Sequence, residues 1–193
     1  MTFSLQFSRL GLVACLLFLS ELSLAEALKV KPVLNSNPER VLFVGNSYYY
    51  YNNSLHNHVS DLVNASDAAL GARLQFKSST IGGAALNHHN MAHLTEPGRI
   101  GVTQPFQWVV MQGGSAEPLS QSRREIFRQT AMTHAEMVKA RGGQVALYMT
   151  HAYVKPHRLA SPQNITATES MYVEVGNEIG ALVIPVGLAF RAA

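Results

Sequence analysis

The strongest constraint on this chain is a repeated alternation of short apolar runs, each closed by a small or turn-forming residue, with longer stretches of helical spacing. Val41-Leu42-Phe43-Val44, closed by Gly45, is the first. An unbroken apolar run of this length suits a strand buried on both faces of a parallel sheet. Similar runs stand at 73–78, 108–112, 144–149 and 182–186, with helix-like stretches at 55–70, 86–94, 120–140 and 166–179. Strands alternating with helices predict βαβ units with right-handed crossovers. The expected fold class is α/β, a three-layer α/β/α sandwich around a flavodoxin-like parallel sheet of about five strands.

With 193 residues, 47% of them apolar and 14% charged, the chain can bury one sizeable core and is expected to form one domain. Its net charge of +3 comes from scattered basic residues, with Arg123-Arg124 the only adjacent pair. That distribution argues against a nucleic-acid surface.

Residues 1–25 have the organisation of an export signal: Arg9 supplies positive charge, an apolar and small-residue run follows, and Ser23-Leu24-Ala25 fits a small-x-small cleavage site. The run is shorter than the roughly 20 residues a bilayer span needs, so membrane contact is expected only in transit. The expected location is secreted or periplasmic. Cys15 is the only cysteine and lies inside this run, so neither a disulfide nor a thiol nucleophile is expected after cleavage. Leu12-Val13-Ala14-Cys15 also allows a minority alternative, lipid attachment at Cys15, although Arg9 leaves little apolar length before it. Residues 26–39, with Pro32, Asn35, Asn37 and Pro38, read as an extended lead-in to a domain spanning 40–193.

In open α/β sheets ligands bind beyond the carboxyl ends of the strands. There the chain has Gly45-Asn46-Ser47-Tyr48, Thr80-Ile81-Gly82-Gly83, Gln112-Gly113-Gly114-Ser115 and Thr150-His151. A serine on a strand-to-helix turn presents its hydroxyl among free backbone N–H groups, the makings of a nucleophile with part of an oxyanion hole. Taken alone, Ser47 reads first as a structural residue, capping the helix that begins near Ser54 or satisfying its own turn, with Asn53 or Ser54 as the helix cap and the tyrosines at 48–51 packing nearby.

Gly45-Asn46-Ser47, Gly82-Gly83 and Val109-Val110-Met111-Gln112 together resemble the SGNH (GDSL-like) serine esterases, in a branch with a Gly-Asn-Ser nucleophile block. The resemblance runs from about Val41 to the end of the chain. It implies hydrolysis of a carboxylic ester, such as an acyl group on a small molecule or a carbohydrate, with no cofactor. By position it implies Ser47 as nucleophile, with oxyanion donors from Ser47, from Gly82 or Gly83, and from Gln112. Where the family usually has Asn, this chain has Gln112, with the same carboxamide one methylene further out. The resemblance places a histidine near His88 or His89, so His89, Asn46 and His151 are candidate pocket residues. His89 and His93 have i, i+4 spacing but no accompanying carboxylate or thiolate, and no metal site is expected.

The family's Asp-x-x-His block, which carries the base, is not present; Ile184-Pro185-Val186-Gly187 resembles the stretch before it. The resemblance thus reads as a domain truncated at its C-terminus and impaired in catalysis. Val183, Ile184 and Val186 are then expected to lack a covering helix. His151 is the natural substitute base, yet two strand spacings, roughly 10 Å, separate its strand from that of Ser47. The alternatives are a non-catalytic carbohydrate- or ligand-binding module and an inert truncated product. Mass spectrometry of exported material should find the mature N-terminus at Glu26, and a lipid on Cys15 would overturn that cleavage site.

Overall fold

The computed structural model describes residues 27–31 and 37–193. The expected signal at 1–25, Cys15 included, and part of the lead-in lie outside the described residues. Five strands, β1 (Arg40–Gly45), β2 (Gln75–Thr80), β3 (Trp108–Met111), β4 (Gln144–Tyr148) and β5 (Leu182–Ile184), form one parallel sheet in the order β2-β1-β3-β4-β5. Helices α1 (Ser47–Tyr50), α2 (Leu55–Ser66), α3 (Ala68–Gly71), α4 (Met91–Thr95), α5 (Gln121–Lys139), α6 (Asn164–Ile179) and α7 (Val186–Ala192) connect and flank the strands.

The strands alternate their side chains between two apolar layers. Leu42, Val44, Val109, Met111, Val145, Leu147 and Val183 join Phe127 and Ala131 of α5 and Met171 and Tyr172 of α6 in the larger core. Val41, Phe43, Val110 and Ala146 form the second layer with Tyr49. Five strands about 4.8 Å apart make a face roughly 19 Å wide, which takes two helices of about 10 Å diameter to cover. The larger layer has two, α5 and α6. The second has α2, which buries no residue fully. Between Val59 and Val63 of α2 and Leu182 and Ile184 of β5 an apolar groove of about 350 Å³ remains.

Local polar chemistry explains where boundaries depart from the sequence pattern. The helix expected over 55–70 breaks at Asp67, whose extended backbone lets its carboxylate cap the Leu70 N–H at 2.9 Å. Arg73 and Leu74 stay in the turn leaving α3, their N–H groups bound to Leu70 and Gly71 carbonyls, so β2 starts at Gln75 and runs to Thr80. The helix expected over 86–94 is a 3-10 turn at Leu86–His88 followed by α4, capped by Asn90. Pro185 ends β5 and opens α7, correcting the expectation that no helix follows the fifth strand. Val183 is buried, while Ile184 is half-buried on the groove side.

Gly176 is where α6 touches the sheet most closely, since a Cβ there would overlap Val183 Cγ2. Gly176→Ala should destabilise the fold by about 1–3 kcal/mol in urea unfolding. Adding Val183→Ala should recover part of that loss. Strictly additive losses in the double variant would mean the close approach is not the cause.

Candidate active site

The strand order reverses between β1 and β3, so the crevice above their carboxyl ends is the topological switch point of the sheet. A cavity of about 520 Å³ opens there, with Ser47, Gly83, His88, Ser115 and Arg123 in its wall.

Ser47 stands one residue beyond β1 and is the first residue of α1, with Asn46 as its cap; the Asn46 carboxamide accepts the Tyr48 N–H at 3.2 Å. The helix entry expected at Asn53 or Ser54 therefore lies one element later. Asn52, Asn53 and Ser54 all take left-handed backbone conformations, with φ of 50°, 67° and 66°, and turn the chain from α1 into α2. Among the described residues no hydrogen bond engages the Ser47 hydroxyl, nor the backbone N–H groups of Ser47 and Gly83. Gly83 has φ of 70° and nothing within 4 Å of where a Cβ would stand, so a glycine here keeps the left-handed turn open to the cavity. Gly82 packs toward the Tyr50 hydroxyl and is not part of the cavity wall.

Gln112 is fully buried and does not reach the cavity. Its Nε2 donates to Asn46 Oδ1 at 3.0 Å, and its Oε1 accepts the Asn46 backbone N–H at 3.3 Å. Both ends of the carboxamide are thus spent on Asn46 rather than aimed at an oxyanion. Asn46 in turn donates through Nδ2 to the carbonyls of Ala84, at 3.0 Å, and Gly113, at 3.3 Å. One asparagine therefore ties together the loops after β1, β2 and β3. It also forms part of the cavity wall, as expected.

The histidines are sorted differently from the sequence expectation. His88 faces the cavity, its Nδ1 accepting the Ala85 N–H at 3.3 Å. His89 is turned into the core beside His134, and burial lowers the pKa of both, that of His134 to about 4. Because His89 precedes α4 rather than lying on it, His89 and His93 do not share a helical face. His151 stands behind the cavity, half-buried, its ring 4.3 Å from that of Tyr48 and 5.0 Å from that of Phe190. It is not in the wall that holds Ser47.

Sequence reasoning passed over Asn87, Glu117, Arg123 and Tyr153, all in the cavity wall. Glu117 lies three residues beyond Gly114, and its Oε2 accepts the Gly114 N–H. Gly113 donates to the Tyr172 hydroxyl at 3.0 Å. A Cβ at Gly113 would collide with Glu117 and Phe127, so this turn sits directly on its supports. Ser115 is held by a 2.7 Å hydroxyl–hydroxyl bond to Tyr153.

Solved structures place this arrangement among known folds. Esterase AlinE4, an SGNH-hydrolase family esterase, superposes with a TM-score of 0.58 at 15% identity, covering 80% of this chain and 79% of that one. This is the SGNH-hydrolase fold. A catalytic mutant of Axe2, an acetylxylan esterase from Geobacillus stearothermophilus, gives a TM-score of 0.59 at 15% identity over 80% of this chain and 78% of its own. The lipase/acylhydrolase from Enterococcus faecalis gives 0.57 at 20% identity over 80% of each chain. At these identities the likeness to SGNH hydrolases is one of fold. No protein-family model and no curated protein sequence matches the chain.

Desolvation pushes the Glu117 carboxyl up to about 7. The folded state then holds a proton that the unfolded chain has released, so this group costs stability as pH rises from about 4.5 to about 7. The full cost is present above that window. Glu117→Gln keeps an acceptor for Gly114 and removes the titration. Its melting temperature should match that of the parent near pH 4.5 and exceed it above pH 7.5. Parallel pH curves for the two proteins would show that Glu117 is not the titrating group.

Proposed function

We propose that this chain is a serine hydrolase of carboxylic esters with Ser47 as its nucleophile, and that the polar cavity seats a carbohydrate or other small alcohol bearing the acyl group. The supporting observation is the position of Ser47: it stands at the switch point, in the wall of a cavity, with its own N–H and that of Gly83 unengaged. Ser47 Oγ would attack the ester carbonyl, and the developing oxyanion would draw on those two N–H groups. Collapse of the tetrahedral species releases the alcohol and leaves an acyl-serine, which water then hydrolyses. The likeness to AlinE4 and to an acetylxylan esterase supports the same reading.

Proton removal from Ser47 limits this chemistry. Nδ1 of His88 accepts a backbone N–H, so its neutral ring carries hydrogen on Nε2 and offers the cavity a donor rather than a base. His151 packs its ring against Tyr48 and does not line the cavity. With no imidazole against Ser47 Oγ among the described residues, the expected acceleration is the roughly 10³–10⁴-fold that binding and oxyanion donors supply without a full triad. The unpartnered Ser47 hydroxyl also favours the second reading, a carbohydrate-binding module that retains the cavity without turnover.

A fluorophosphonate probe should label Ser47 slowly and no other serine, and Ser47→Ala should abolish labelling. Hydrolysis of p-nitrophenyl acetate should stay within that modest acceleration, far below a complete triad, and should fall to the uncatalysed rate in the same variant. Modification of Ser115 or Ser79 would place the nucleophile elsewhere. Brisk turnover abolished by His151→Ala would show that an internal base operates.

A further inference from the structure

Helix α5 carries three arginines in its first half, and two are matched to carboxylates. Arg124 pairs with Glu174 at 3.1 Å and donates to Ser170 at 2.8 Å; Arg128 pairs with Glu125 at 2.9 Å and Glu178 at 2.5 Å. Arg123 makes no ion pair or hydrogen bond among the described residues and lies in the wall of the Ser47 cavity, where its charge opposes the burial that raises the Glu117 pKa without cancelling it. Among the described residues Glu117 is the only carboxyl in that wall. It is buried, its Oε2 already accepts the Gly114 N–H, and its burial favours the neutral form. The cavity therefore presents a guanidinium whose fork of donors is unspent. Its other polar groups toward the cavity are the Asn87 amide, the hydrogen-bonded hydroxyls of Ser115 and Tyr153, and Nε2 of His88.

We infer that Arg123 makes this cavity selective for esters carried on an acidic sugar, a hexuronate whose ring carboxylate pairs with the guanidinium while the neutral donors and acceptors take its hydroxyls. A guanidinium matches a carboxylate bidentately, and such charge-assisted pairs are stronger than bonds between neutral groups. The cavity's roughly 520 Å³ lies within the range of small-ligand sites and accommodates a mono- or disaccharide. As a statement of substrate class this rests on Ser47 being the nucleophile; as a binding site it does not.

The test uses methyl α-D-glucuronopyranoside and methyl α-D-glucopyranoside, which differ only by a carboxylate in place of a hydroxymethyl group. Each is titrated calorimetrically into the full chain and, separately, set to compete with a fluorophosphonate for Ser47. The glucuronoside is expected to bind, and to protect Ser47, at about tenfold lower concentration, with a preference that shrinks as salt is added. Arg123→Gln should erase the preference without lowering the melting temperature, Arg123→Lys should keep part of it, and Arg124→Gln should leave it intact. Equal binding of the two sugars, or a preference that survives Arg123→Gln, overturns the inference. A calorimetric preference without labelling of Ser47 supports the Arg123 site and removes the hydrolase reading; labelling of Ser47 without a preference does the reverse.

Discussion

The reciprocal amide pair between Asn46 and Gln112 is the interaction on which the rest of the site depends. The two residues end neighbouring strands, and each offers the other a donor and an acceptor out of contact with water. A carboxamide satisfied in this way holds its partner in one orientation, because any rotation leaves a buried polar atom unpaired. Asn46 is thereby fixed, and with it the turn that carries Ser47 and the loops reached through Ala84 and Gly113. Gly45 belongs to the same unit: a Cβ there would stand 2.5 Å from Gln112 Oε1 and 2.9 Å from the Tyr49 ring. The Gly-Asn-Ser triplet thus combines a close approach, a clamp and a cavity-lining hydroxyl in three successive residues.

Much of the fold was legible because it rests on backbone-scale patterns. Short apolar runs located the strands at 40–45, 108–111, 144–148 and 182–184, while the polar β2 was found only approximately, between its flanking helices, and the strand order follows from short right-handed crossovers. What the pattern missed were breaks set by single polar side chains or by proline, such as Asp67, Asn90 and Pro185. At the site, Ser47 and Gly83 could be read from their place after strands. Gln112 could not, since a carboxamide at a strand end serves equally as a catalytic donor or as an internal tie, and only the location of Asn46 decides between them. His88 and His89 illustrate the same limit, for one residue of offset separates cavity from core.

The turn after β3 shows what holding such a site costs. Glu117 and Tyr172 stand beneath Gly113 and Gly114, each receiving a backbone N–H, and both are buried. An apolar pair would fill that space with less desolvation but would leave two N–H groups without acceptors. Local stability has been exchanged for a fixed loop, in the manner of functional sites that are more constrained than their surroundings.

The unequal covering of the sheet has a consequence for how the molecule opens. Helix α2 buries no residue fully, and it is joined to α1 by three successive left-handed residues, whereas α5 and α6 share a continuous core. The layer over Val41 and Phe43 is therefore expected to be the less stable cooperative unit, its amides exchanging with solvent before those of the opposite layer. Because Ser47 is anchored through Asn46 to Gln112 and Gly113, and Tyr49 of its own helix packs on the strands, opening of α2 alone leaves the Ser47 turn in place.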